Sequence, residues 1–226
     1  MGQALSTDGN GNIKKFYAYS VLLESSGKFL KIQPLANAVS KSDYLRQMVN
    51  SVSLLLDDVS NRYNKVVFHI PEKIKLKDIK EIEKVLNNSN TNISLYIIKI
   101  NENSKFFGYD NNNNSLIPFE SSYVRLSNRE FLIWTEGLNY HNPMVRKRYG
   151  NPLYVEIFYS NSKEDKNYKL LLQDILNLSG ANFRGFNAKA LPVSIYYPKL
   201  IAKFNKGFED FNLDMIIKNA EKPWFL

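Results

Sequence analysis

The sequence predicts an α/β domain with a mixed sheet, in which a three-strand antiparallel meander precedes parallel strands and helices flank the faces. Three observations lead to that class. The chain up to Pro34 holds three β-rich runs parted by two turn signals. Ser42 to Tyr63 repeats apolar residues at helical spacing, and from Lys65 onward short apolar runs alternate with helical patterns. Such alternation calls for right-handed crossovers between parallel neighbours.

Met1 to Thr7 reads as the first strand, and Asp8-Gly-Asn-Gly-Asn12 as the turn after it, since Gly and Asn tolerate the positive φ of tight turns. Ile13 to Glu24 is the second strand, rich in Tyr, Val and Leu. Ser25-Ser-Gly27 turns the chain into the third, Lys28 to Pro34, which sets Phe29, Leu30 and Ile32 against lysines. A strand opening at residue 1 has no lead-in, which points to an excised fragment or a split gene product.

Between Ser42 and Tyr63, the positions Tyr44, Leu45, Met48, Val49, Val52, Leu55, Leu56 and Val59 form one apolar helical stripe. Ser40 or Ser42 can cap it by accepting from the first turn's unpaired N–H groups. Lys65 to Ile70 is a buried-strand candidate stopped by Pro71. Leu76, Ile79, Ile82 and Leu86 mark a second helix, and Ile93 to Ile100 another buried strand. Asp110-Asn-Asn-Asn-Asn114 is a polar loop. Ser122 to Leu126, Glu130 to Thr135 and Leu153 to Tyr159 are further strands, with an irregular basic loop from Leu138 to Gly150 between the last two. Tyr168, Leu171, Leu172, Ile175 and Leu176 build a third helix. No repeat and no linker divides the chain, so one domain is expected over 1–226.

With 226 residues, 44% hydrophobic and 23% charged, the chain can bury a full core as an ordinary globular protein. It has no cysteine, which excludes disulfides and thiolate metal sites, and two histidines, which argue against a multi-histidine zinc site. No apolar run approaches the roughly 20 residues of a membrane span, and no leader precedes Gly2. A soluble cytoplasmic protein without direct membrane insertion is expected. Its net charge of +8 favours an acidic partner such as nucleic acid, although an anionic surface or solubility alone fits as well.

The densest chemistry lies between Leu178 and Phe204: a small-residue bend, Arg184 between aromatics, a Pro-initiated amphipathic segment and several lysines. Basic groups pair with phosphates while aromatic rings stack on bases, so this stretch suits a nucleic-acid backbone; a buried helix with solvated lysines is the other reading. If the segment is helical from about Pro192, Lys199, Lys203 and Lys206 share one face. Gly185 lets a ligand approach the backbone beside Arg184, whose alternative is a structural pairing with Glu136 or Asp174. Arg146, Lys147 and Arg148 give the loop before Gly150 the charge to clamp a phosphate backbone, or to sit solvated.

Several stretches spread along the chain resemble the PIWI domain of Argonaute proteins, a domain of RNase H-like fold, and above all the prokaryotic ones. Gly2-Gln-Ala-Leu-Ser6 resembles the family's first strand, Val66-Val-Phe-His69 its fourth, and Phe131-Leu-Ile-Trp-Thr-Glu-Gly137 the strand that turns out of the sheet. Leu178 to Phe204 is similar to the C-terminal helix region, and Pro223-Trp-Phe-Leu226 to the apolar terminus. The resemblance implies guide-directed binding of a nucleic-acid strand, RNA or DNA, and its complementary target. Asn182, Arg184, Lys189, Lys199 and Lys203, with Arg146 and Arg148, are the implied contacts. The Leu226 carboxylate would reach the guide's 5′-phosphate, with one Mg²⁺ there as a conceivable ion. No MID, PAZ or N domain fits in the chain, so a MID-bearing chain or segment is an implied partner.

Active members of the family hold a carboxylate tetrad around two divalent ions about 4 Å apart, which needs converging oxygen ligands. Here the first aspartate position falls at Ala4, the second near Pro71 and the last at Lys199, while no acidic residue lies between Lys28 and Ser42 for the glutamate. A proline side chain has no donor for a metal and a lysine repels one. No catalytic metal and no cleavage are therefore expected, but strand binding in prokaryotic defence alongside an effector protein is. Two alternatives stand beside it: an active RNase H-like endonuclease whose carboxylates are displaced, with Asp8, Asp43 and Glu72 nearby, and a protein-binding scaffold of the same fold.

Overall fold

In the computed structural model the described residues are 1–7, 10–11, 13–40, 43, 46–47, 49–52, 54–55, 62–71, 79–84, 93–138, 151–162, 168–181 and 190–207. The meander forms as expected. Strands β1 (Gly2–Thr7), β2 (Ile13–Leu23) and β3 (Phe29–Val39) pair antiparallel in the order β1-β2-β3. The β2–β3 turn closes with Gly27 N donating to Glu24 O at 2.9 Å and Glu24 N to Lys28 O at 3.0 Å. Gly27 sits at φ +88, and a Cβ there would lie 2.5 Å from that of Ala181, so glycine is required on both counts.

Strand β3 runs past Pro34, where the sequence reading ended it. Pro34 pairs with Tyr19 in a register that slips between Ala18 and Tyr19. Because β3 is the outer strand of its sheet, a missing N–H at a bulge costs the ladder little.

The second sheet has five strands in the order β4-β5-β8-β7-β6: β4 (Lys65–Ile70), β5 (Ser94–Asn101), β6 (Tyr123–Arg125), β7 (Glu130–Ile133) and β8 (Leu153–Ser160). Only β4 and β5 run parallel, with Lys65 opposite Ser94 and Ile70 opposite Lys99; the other pairs are antiparallel. Among the described strands the parallel content is thus one pair, and the meander is a sheet of its own rather than a continuation. The two sheets adjoin where the Met1 nitrogen donates to His69 O at 2.7 Å.

Helices cover both faces of the five-stranded sheet. Helix α1 (Lys169–Gly180) lays Leu171, Leu172 and Ile175 on Tyr96, Ile98, Ile100, Val155 and Ile157. On the other face Leu95, Ile97 and Ile70 meet Val52 and Leu55, from the helical residues between 43 and 55, and Ile79 and Ile82, from residues 79–84. Burying a side chain of this size stabilises by roughly 1.5–3 kcal/mol, and fully buried Leu95, Ile97 and Ile98 make β5 the centre of the core. Ser40 is the cap: its Oγ accepts from Asp43 N at 3.3 Å and donates to Asp43 Oδ2 at 2.9 Å.

At the end of β7 the chain passes so close to the 118–120 segment that Gly137 has no room for a side chain. A Cβ would lie 2.3 Å from Pro118 O and 2.8 Å from Glu120 N. That approach lets Leu138 N donate to Pro118 O at 3.0 Å and Glu120 N to Leu138 O at 2.9 Å.

Candidate nucleic-acid interface

Helix α2 (Val193–Gly207) carries the predicted basic stripe. Its first turn is set by Pro192, whose carbonyl accepts from Ile195 N and Tyr196 N, both at 2.9 Å; proline's fixed φ suits the residue entering a helix. Just before it, Thr135 Oγ1 donates to Ala190 O at 2.9 Å and ties the entry to the end of β7. Val193, Tyr197 and Ile201 recur at four-residue spacing and bury against Tyr19, Val21 and Ile32 of the meander. At 100° per residue, Lys199, Lys203 and Lys206 occupy a stripe about 60° wide on the far side. Lys203 and Lys206 are exposed and Lys199 is half-buried.

Pro198 lies inside this helix and cannot donate to the carbonyl four residues back. That carbonyl belongs to Ser194, and it accepts instead from the Met1 nitrogen at 3.2 Å. The Ser194 hydroxyl lies 2.6 Å from His69 Nδ1. His69 is buried, and desolvation of its charged form, helped by the positive Met1 amino group, pushes the imidazole down to about 3. A neutral imidazole and a hydroxyl therefore lock α2 to the end of β4 and the start of β1.

One helical turn further, α2 makes a second polar contact. Pro71 follows β4 and Glu102 follows β5, so both emerge at the carboxyl ends of the parallel pair, where open α/β sheets place their ligands. Lys199 Nζ donates to Glu102 Oε1 there, with the two side chains 33% and 36% exposed.

Of the residues the sequence singled out, the structure places Lys199 and Lys203 together on α2, Ala4 within β1 opposite Tyr17, and Pro71 at the end of β4. Asn182, Arg184, Lys189, Arg146, Arg148 and Leu226 lie outside the described residues, as do Asp8 and Glu72. Asp43 is engaged by Ser40 and by Arg46 at 2.9 Å and serves the helix start. Among the described residues no three His, Asp or Glu side chains gather as a metal-binding group, and Ala4, Pro71 and Lys199 do not fit a two-metal centre.

Lys199 is not the open cation the sequence suggests, because Glu102 holds it. Glu102 escaped sequence reading, although a carboxylate directly after a buried parallel strand is a signal for this position. The Ser194–His69 contact also went unread.

A cavity of about 430 Å³ lies between β2, β4 and α1, lined by Val21, Leu23, Phe68, His69 and Asp174. Burial raises the Asp174 carboxyl above its ordinary range, against the pull of Lys65. None of the lysine stripe lines this cavity, although Ser194 on the other side of α2 does.

An α/β domain with this order of strands and a C-terminal helix packed on the meander has the RNase H-like architecture. Comparison with known proteins narrows the class. No protein-family profile matches the chain. A Piwi protein of Archaeoglobus fulgidus is 26% identical over 238 aligned residues, covering 93% of this chain and 54% of that protein. A shorter match, 28% identical over 155 residues, is to a 2-(3-amino-3-carboxypropyl)histidine synthase of Methanocaldococcus jannaschii; it covers 66% of this chain and 40% of that protein. The A. aeolicus Argonaute structure superposes with a TM-score of 0.65 at 18% identity, covering 89% of this chain and 27% of that one. The Argonaute of M. jannaschii in complex with guide DNA gives 0.61 at 14% identity, covering 99% and 30%. Clostridium butyricum Argonaute bound to a guide DNA and a 19-mer target DNA gives 0.58 at 21%, covering 89% and 26%. The chain has the fold of these Argonaute structures and is similar in sequence to a Piwi protein. It spans about half the length of the curated Piwi protein it matches. No helix among the described residues is long and apolar enough to cross a membrane.

Proposed function

We propose that this chain is a nuclease-inactive PIWI module that helps hold a guide strand and its complementary target, in prokaryotic defence with a MID-bearing chain or segment and an effector protein. One observation carries the reading: at the carboxyl ends of β4 and β5, where metal-dependent members would gather carboxylates, the helix delivers Lys199 and continues it outward with Lys203 and Lys206. An ammonium there suits a phosphate and repels a divalent ion. Among the described residues, Glu102 is the carboxylate that follows this pair of strands, and Lys199 engages it.

The experiment is a salt titration of single-strand binding, with a cleavage assay beside it. The logarithm of the binding constant falls against log salt with a slope of about −0.7 per phosphate contact on a single strand, so three lysines contribute about −2. Each Lys→Ala on the stripe lowers the slope by about 0.7. A flat salt response would favour a protein-binding scaffold. A guide-directed nick with Mg²⁺ or Mn²⁺, abolished by EDTA, would overturn inactivity.

A further inference from the structure

Glu102 occupies the position where the proposed phosphate contact has to be made. It follows the last residue of β5, and its carboxylate already satisfies Lys199. With both side chains about one third exposed, the pair is exchangeable: water screens it, and contacts of this kind hold by a factor of about two to five. A phosphate gives Lys199 the same charge-assisted bond. A lone phosphate must evict Glu102 for one contact in return. A strand also reaches Lys203 and Lys206, both exposed on the same stripe, and its linked phosphates raise the effective concentration at each.

We infer that Glu102 is an electrostatic latch on Lys199, which keeps the stripe closed to isolated phosphates and opens it to a polyanionic strand engaging Lys203 and Lys206 together. This rests on the nucleic-acid reading above and adds selectivity for linked phosphates to it. The carboxylate also lies close to the bound backbone, so its charge opposes every strand that binds. Removing that charge strengthens binding through Lys199, rather than weakening it as loss of a ligand-touching group would.

The test uses a labelled single strand of about 16 nucleotides, inorganic phosphate as competitor, and the wild-type chain with Glu102→Gln, Lys199→Met and the double variant, each checked for an unchanged thermal midpoint. Glu102→Gln is expected to tighten strand binding about three- to tenfold and to let phosphate compete at lower concentration. The gain disappears when Lys199 is also replaced, which a double-mutant cycle reads directly. Wild-type binding with Glu102→Gln unchanged or weaker, a gain that persists without Lys199, or unaltered competition by phosphate would each overturn the latch alone. No binding of the strand by the wild-type chain would sink the nucleic-acid reading, and the latch with it.

Discussion

Helix α2 meets strand ends twice, and the two contacts obey opposite physics. Ser194 bonds the buried His69 at the wall of the cavity, while Lys199, five residues on, bonds Glu102 at a half-exposed surface. The inner partners are neutral and His69 is buried, so losing either removes a partner from a largely desolvated polar atom, at a cost of about 1–3 kcal/mol. The outer partners are charged and accessible, and such a pair is worth about 1 kcal/mol or less. The same helix is therefore fixed by a contact that cannot exchange and presents one that can. Burial, not the strength of the bond in isolation, decides which is scaffold and which is site.

The widest separation between the two contacts is expected in acid. His69 is buried with its imidazole pushed down from 6.5 to about 3. Between those values the unfolded chain binds a proton that the folded chain does not. Stability from this group is thus complete above pH 6.5 and drains as pH falls, by up to about 1.4 kcal/mol per unit, several kcal/mol across the window. Urea unfolding at pH 7, 5.5 and 4.5 measures it. The Met1 amino group, which burial lowers from 8.0 to about 5, acts in the same direction. His69→Gln therefore removes one of two titrating groups and makes the profile shallower than that of wild type, most of all below pH 5. Parallel profiles for the two proteins would show that the inner contact is not the source.

Next in size is substitution at neutral pH. Ser194→Ala removes the hydroxyl bonded to His69 Nδ1 and is expected to cost about 1–3 kcal/mol. Lys199→Met or Glu102→Gln is expected to change stability by less than about 1 kcal/mol, while moving strand affinity severalfold. Denaturant midpoints beside binding curves check both halves. A large stability loss at Lys199 would mean that the outer pair is scaffold after all.

How much of this was legible in the sequence divides along the same line. The meander, the β4–β5 strands and the lysine stripe were readable because each rests on local signals: Gly at turns, apolar runs bounded by Pro, and a 3.6-residue period. Strand β3 continues past Pro34 because it lies at a sheet edge, which depends on what pairs beside it. The split into two sheets depends likewise on non-local pairing. Lys199 could be named from its place in the helix, but Glu102 lies 97 residues away in sequence, and only the fold brings them together. His69 and Ser194 are 125 apart and share no motif. Asn182, Arg184 and Lys189 stand in the sequence between the two helices, outside the described residues.

The smallest effect is expected at Pro198, and it tests why the inner contact exists. A proline in a helix interior costs about 3 kcal/mol relative to alanine, so Pro198→Ala ought to stabilise the protein. Here the carbonyl that proline leaves free is taken by the Met1 nitrogen, and the ring itself is buried, so the substitution also deletes packed apolar atoms. The gain and the losses are of similar size, and the net change is expected within about 1 kcal/mol, read as a thermal midpoint nearly that of wild type. Stabilisation near the full 3 kcal/mol would show that Met1 does not need the Ser194 carbonyl. The lock between α2 and the strand ends would then rest on the His69–Ser194 bond alone.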